Sequence, residues 1–466
     1  MEERYIATVD LGTSKFALSI AKVNGDSVEL LYYKEVDSDG VRKSQVFNPK
    51  RAAIPLKAAI KEAEEELGIK ILQVVIGLPR YSVRQESAPA SIERSDEGGC
   101  ITSEEIDDIE SLALDTYPCI NQEEEEMYGA VAQSFSADDM IGLSREDIIG
   151  MTGDKIAGNF KVFIGKKKPV SNIDIMLNDA GVAPARKFFL PDATASAILS
   201  QEEKDGGVAL VEMGAGITSV SIYQGGILRS YRAIPFGGKA ITTDIKYIFG
   251  FKEVLAENIK KAFGACMPDR LQSMSEKVIQ VNYDEDGTNT QVEVKYLSEI
   301  INARVTEIFE AILFAIQESG YSDKLRCGLV LTGGGACLTG CCNYLREMSG
   351  YNVRIGYPRH RNISVAGFPA ISEPSAAASI GMLLLSKHDS HLSCTTEPQS
   401  VDDVEQGPDL TGTVFDASTA QEETAPARSK PSGGHKKGRE KQNGSSKTLT
   451  WIVETVGKLF DEATQR

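Results

Sequence analysis

The sequence is short of the residues that most often carry catalysis or cross-links. Four histidines occur in 466 residues, three of them after position 387, so histidine-based proton transfer has little material. Eight cysteines, at 100, 119, 266, 327, 337, 341, 342 and 394, show no C-x-x-C spacing, and the chain opens MEERYIATVDL without an apolar signal segment. A reduced cytoplasm is expected. Cys337, Cys341 and Cys342 cluster, yet the histidine nearest them is His360, and buried thiols are the expectation over a metal site. No run of about 18 apolar residues occurs, which excludes a bilayer-spanning helix. Basic residues are outnumbered 50 to 67, for a net charge of −17. The bulk of the chain repels phosphate backbones, so non-specific nucleic-acid binding is excluded.

What is present falls into a body and a tail. From Tyr5 to about Lys387, β-rich and helical segments alternate over a length sufficient for at least two cores. His388 to Ala427 then holds nine acidic residues and no Lys or Arg, and Arg428 to Lys447 holds seven basic residues and one acidic. Such a stretch cannot bury enough apolar surface to offset its ordering entropy, so 388–447 is expected to be a disordered linker with a reach of roughly 40 Å. It ends in TLTWIVETVGKLFDEATQR. On a helix, Leu449, Ile452, Val453, Val456, Leu459 and Phe460 share one arc, opposite Glu454, Lys458 and Asp461. Trp451 falls off that stripe and is assigned to the first turn or to the headgroup level of a membrane. The pattern suits an interfacial amphipathic helix, or a helix that docks back on the body. The basic segment just before it would draw an acidic protein to an anionic leaflet.

Within the body one plan occurs twice. TVDLGTSKFALSIAKVNGDSVELLYYKEV (8–36) and LVEMGAGITSVSIYQGGILRSYRAIP (210–235) each read as strand, acid-x-Gly turn, strand, turn, strand. Two related lobes are expected. A glycine turn lets backbone N–H groups approach an anion, and a carboxylate at the strand end can hold a hydrated Mg²⁺. Facing hairpins would clamp a polyphosphate, whereas either alone is an ordinary tight turn. The turns lead into strands and match neither a P-loop nor a dinucleotide fingerprint. A third cluster, Gly333 to Gly335, follows the apolar run GLVLT and suits a flat ligand such as adenosine.

The order VDLGTSK (9–15), PDATASAIL (191–199), GVALVEMGAGITSVSIYQGG (207–226), AENIKKAFG (256–264), LVLTGGGACLTG (329–340) and PSAAASIGMLL (374–384) resembles the phosphate-1, connect-1, phosphate-2, adenosine and connect-2 pattern of the actin-like ATPases. More narrowly, EEKDGGVALVEMGAG, YRAIPFGGKAITTDI, YLSEIINARVTEIFE and the amphipathic end resemble the FtsA family of bacterial cell-division adaptors. The resemblance implies an α/β, actin-like two-lobed ATPase fold of duplicated ribonuclease-H-like cores. It divides the chain into 1A (1–81, returning at 169–206), an FtsA-type 1C subdomain (82–168), 2A (207–251), 2B (252–326), a 2A/1A return (327–387), the linker and the helix 448–466.

The same resemblance implies ATP and Mg²⁺ as ligands. Asp10 and Glu212 would hold the ion through water. Gly12, Thr13, Ser14 and Lys15 would cradle the β- and γ-phosphates, and Gly214, Ala215 and Gly216 would close from the second lobe. Gly333, Gly334 and Gly335 would line adenine and the α-phosphate. Glu257 and Lys260 would meet ribose and adenine, or else form a solvated i, i+3 pair. Asp192 would orient the attacking water, or else cap a helix. Arg304 would meet the acidic C-terminal peptide of FtsZ, the tubulin-like ring protein, or else stay solvated.

Further implied are filament formation with other copies, contacts of 1C with division partners, and a peripheral place on the cytoplasmic face of the membrane at the division site. The second phosphate loop, EMGAGITS, departs from the usual acid-x-Gly-Gly-Gly-Thr-x-Asp: Glu212 is a methylene longer than Asp, Ala215 adds a methyl, and Ser219 removes a carboxylate. Weak or absent hydrolysis is the expectation. The alternative on the same fold, a small-molecule kinase, has no evident use for the tail.

Overall fold

In the computed structural model, which describes residues 4–395 except 26, 95–98, 283–288, 360–362 and 366, two sheets repeat one topology. The first contains, side by side, Ser27–Asp37, Lys15–Asn24, Arg4–Leu11, Gln73–Gly77 and Ala183–Phe188, with Ile363–Ser364 added at the outer edge of Ser27–Asp37. The second contains Ile227–Ile234, Thr218–Gln224, Val208–Met213, Leu329–Thr332 and Val353–Ile355. In both, the first three strands in sequence form an antiparallel meander and the next two join parallel to the first. The duplication read from the sequence is therefore a duplication of strand order.

The central strands are apolar nearly throughout because both faces are covered. Helix Pro49–Leu67 lays Ala52, Leu56, Ala59, Ile60 and Ala63 on the first sheet; Asn48 caps its start and Gly68, in the left-handed region, ends it. The other face packs against the pair Leu190–Ile198 and Ala377–Ser386, which belong to one core with strands of both sheets. These helices are built from small residues for a steric reason. A Cβ on Gly381 would stand 1.8 Å from the Ala193 carbonyl oxygen.

Between the first meander and its return lies a separate antiparallel sheet, in the order Arg84–Glu93, Lys155–Lys166, Glu125–Ala137, Met140–Leu143. Helix Ser103–Asp115 covers it with Ile106 and Ile109, and its capping box pairs Thr102 with Glu105. The strand Arg84–Glu93 carries Pro89 and lies at the sheet edge, where a missing N–H costs no ladder bond. The second half carries helices Gly238–Phe249 and Glu253–Phe263, the hairpin Val278–Asn282 with Asn289–Glu293, and the 25-residue helix Val294–Glu318. Among the described residues no helix is long and apolar enough to cross a membrane.

The expected start of the linker at 388 is corrected. Leu392, Ser393 and Cys394 are buried. The strands Arg4–Leu11 and Gln73–Gly77 pair only at Thr8 with Val75 and Val9 with Ile76, and residues 393–394 fill the gap below. Cys394 N–H donates to Tyr5 O at 2.7 Å, Leu72 N–H to Cys394 O at 2.8 Å, and Gln73 Nε2 to Ser393 O at 2.7 Å. Arg186 pairs with Asp389 at 2.8 Å. The rest of the expected linker and the helix 448–466, with its membrane-facing residues, lie outside the described residues.

Candidate functional site

The two acid-x-Gly turns face each other across a cleft of about 1050 Å³. Asp10 and Glu212 stand at equivalent ends of Arg4–Leu11 and Val208–Met213, each followed by its glycine. Gly12 is required locally, because a Cβ there would lie 2.5 Å from Lys15 O. Thr13 is held by Ser44 N–H, which donates to Thr13 Oγ1 at 3.0 Å, and by Ser38 Oγ, which donates to Thr13 O at 3.0 Å. Lys15 reaches Glu35 and, at 3.1 Å, Ser375 Oγ. In the second turn, Gly238 N–H donates to Gly214 O at 2.9 Å and Lys239 N–H to Ala215 O at 2.8 Å. The turns meet: a Cβ on Gly216 would fall 2.5 Å from Thr13 Oγ1.

The triple glycine divides into two jobs. Gly333 has φ +86° and would drive a Cβ to 2.6 Å from Met213 O, and a Cβ on Gly335 would strike the Met213 side chain at 2.5 Å. Both are demanded by packing on the neighbouring strand. Gly334 has nothing nearer than Ser375 Cβ at 3.9 Å and opens to the cleft.

Glu257 and Lys260 are not a solvated pair. Lys260 Nζ donates to Glu257 Oε2 at 2.7 Å, Thr242 Oγ1 at 2.9 Å and Gly238 O at 2.9 Å, which uses all three of its donors and ties Glu253–Phe263 to Gly238–Phe249. Burial lowers the pKa of the Lys260 ammonium, with Glu257 opposing. Burial pulls the Glu257 carboxyl up, and its hydrogen bonds from Lys260 and Thr242 outweigh this and leave it low.

Two expectations fail on geometry. Asp192 is not brought to the cleft: it lies in the first turn of its helix, buried, with Oδ1 accepting from Tyr223 Oη at 3.2 Å, and it caps nothing. Thr194, two residues on, is the one that reaches inward, to Glu212 Oε2 at 3.1 Å. Glu212 does not fit a shared metal site, because Arg80 occupies its other oxygen. Arg80, which sequence reading missed, follows strand Gln73–Gly77; Nη1 donates to Glu212 Oε1 and Nη2 to Asp10 Oδ1 at 3.3 Å. Burial would lower its pKa, but the Glu212 and Asp10 carboxylates raise it. Among the described residues no group of three or more His, Cys, Asp or Glu is arranged to hold a metal.

The FtsA cell-division protein family model matches residues 209–381. The cell division protein FtsA of Neisseria meningitidis serogroup B is 29% identical over 85% of this chain and 92% of that protein. FtsA of Borreliella burgdorferi is 31% identical over 84% of this chain and 92% of its own length. The chain belongs to the FtsA family. A solved PilM-PilN type IV pilus biogenesis complex has a chain that superposes with a TM-score of 0.55 over 82% of this chain and 98% of that one, at 17% identity, which speaks for the fold. The doubled sheet order is accordingly the actin-like two-lobed fold, and this FtsA-family chain is an actin-like member of a cell-division family.

In this FtsA-family chain Arg304 is not merely solvated. Its Nε and Nη2 donate to the two oxygens of Asp244, at 2.6 and 2.9 Å, and Nη1 donates to Glu307 at 2.6 Å. The fork is filled from its own lobe, beside the exposed Tyr247 and Ile248.

Proposed function

We propose that this FtsA-family chain binds ATP in the cleft, polymerises with copies of itself, and tethers the FtsZ ring to the inner face of the cytoplasmic membrane at the division site. The carrying observation is the pair of glycine turns in contact across the cleft, Thr13 on Gly216, above the open Gly334. Gly12 to Lys15 hold the terminal phosphates, Gly214 to Gly216 close over them, and Gly333 to Gly335 receive the adenine. Lys260 and Glu257 brace the ribose end through the network with Thr242. Where Mg²⁺ accompanies the nucleotide, it would be held through water from Asp10, since Glu212 is engaged by Arg80. Turnover is slow, since Asp192 faces Tyr223 instead of an attacking water.

The acidic FtsZ peptide docks along Val294–Glu318 at Arg304, competing with Asp244 for the guanidinium. The sheet spanning 84–166 serves as 1C and meets neighbouring subunits and division partners. Residues 448–466 lie in the membrane interface through Leu449, Trp451, Ile452, Val453, Val456, Leu459 and Phe460. One such helix binds reversibly, so attachment depends on many copies acting together.

The test is co-sedimentation of FtsZ with anionic liposomes, using the full chain and a truncation at Ser446. The full chain is expected to carry FtsZ to the pellet and the truncation to leave it in solution. Equal sedimentation rejects the anchor. Brisk phosphorylation of a small acceptor would reinstate the kinase alternative.

A further inference from the structure

The two carboxylates expected to share a hydrated cation are already joined by a protein cation. The guanidinium of Arg80 is held between the lobes, with the residue 8% exposed. One N–H goes to Glu212 of the second sheet and one to Asp10 of the first. Both oxygens of Glu212 are engaged, since Thr194 Oγ1 donates to the other at 3.1 Å. The arginine backbone is fixed as well: Tyr231 Oη donates to Arg80 O at 2.7 Å. Nε, by contrast, is buried without an acceptor among the described residues.

The charge count separates this arrangement from a divalent-ion site. Two carboxylates and one guanidinium leave one net negative charge, where two carboxylates alone leave two for the ion. Recruiting Glu212 to a cation would expel the guanidinium, and a buried arginine stripped of its partner is strongly disfavoured. Mg²⁺ demands near-octahedral oxygen coordination and releases its water reluctantly, so it is poorly suited to displace a hydrogen-bonded fork already in place. Arg80 offsets one of the two carboxylate charges, where a divalent ion would offset both. A guanidinium stays protonated at any working pH and matches phosphate oxygens with several donors. Its Asp10 contact, at 3.3 Å, is long, and Asp10 stands two residues before the Gly12 turn. The second N–H of Nη2 is the donor left for a phosphate oxygen or for a water bound to one.

We propose that Arg80, in place of a divalent ion shared by Asp10 and Glu212, supplies the positive charge at the terminal-phosphate end of the cleft, so that nucleotide binds this chain with little dependence on divalent cation. The inference rests on the reading of the cleft as a nucleotide site.

The test is titration of the full-length protein with a fluorescent ATP analogue, in magnesium and in excess EDTA. The readout is the ratio of the two dissociation constants. For the wild type the ratio is expected to stay below about fivefold. Arg80→Gln, which frees both carboxylates for an ion, is expected to raise it above about fiftyfold, with Arg80→Lys in between because it keeps charge and loses the fork. Should Arg80→Gln not fold, the wild-type ratio decides by itself. Wild-type binding in magnesium that collapses in EDTA overturns the role of Arg80 and leaves the nucleotide site standing. A wild type that binds in neither buffer overturns both. Equal ratios for the wild type and Arg80→Gln also overturn it.

Discussion

Asp192→Asn is expected to stabilise the fold at neutral pH. Burial pushes the Asp192 carboxyl up to about 6, from 3.8 for a solvated aspartate, against the opposing pull of Lys204 and the Tyr223 hydroxyl. Each tenfold change in proton affinity is worth about 1.4 kcal/mol, so keeping this carboxylate ionised in the folded protein costs about 3 kcal/mol at pH 7. The sign follows from proton binding. Between pH 4 and 6 the folded state holds the proton more tightly than the unfolded chain does. This group's contribution is therefore most favourable below pH 4, declines as pH rises to 6, and is flat above.

Asparagine keeps the shape and the acceptor for Tyr223 Oη and carries no charge, so it mimics the protonated acid. The gain over wild type should be near zero at pH 4, about half its final value at pH 5, and about 3 kcal/mol at pH 7. Comparing the two proteins at each pH cancels the titration of every other carboxylate. Urea unfolding followed by circular dichroism is the suitable assay, because the single tryptophan, Trp451, lies in the tail. A gain that is equal at pH 5 and pH 7, or a variant less stable than wild type at pH 7, refutes an ionised and buried Asp192.

The other glycine positions give sharper steric tests. Gly381→Ala gains about 1 kcal/mol in helix propensity but forces a methyl into Ala193 O, so urea unfolding should show a net loss of about 2 kcal/mol or more; a more stable variant would reject the helix crossing. Gly333→Ala, with its left-handed backbone, should lose about 2 kcal/mol of stability. Gly334→Ala should leave the melting temperature within about 2 °C and weaken nucleotide binding about tenfold, and a melting loss equal to that of Gly333→Ala would contradict the division of roles between them.

The lobes were legible because a hairpin is a local object. Alternating apolar residues, an acid and a glycine fall within about thirty residues, and the same set occurs twice. Helix Ser103–Asp115 likewise carries a local start signal, in Thr102 and Glu105. Arg80 was not, because its partners are 70 and 132 residues away and nothing in the run GLPRYS distinguishes a buried guanidinium from a turn residue. Asp192 reads equally as cap or catalyst, and only packing shows that Tyr223 claims it. The stretch HDSHLSC looked like linker because its composition is polar. Two apolar side chains, Leu392 and Cys394, one position apart from alternation with Ser393, were too few to signal a strand-like fit.

That fit at Ser393–Cys394 determines how the protein bears load. A pull on the chain at residue 395 is passed first to Tyr5 and Leu72, through the hydrogen bonds that Cys394 makes with both. Tyr5 and Asp10 are on one strand, about 17 Å apart at ~3.4 Å per residue. Tension at the exit of the tail and a ligand in the cleft therefore act on opposite ends of the same rigid rod.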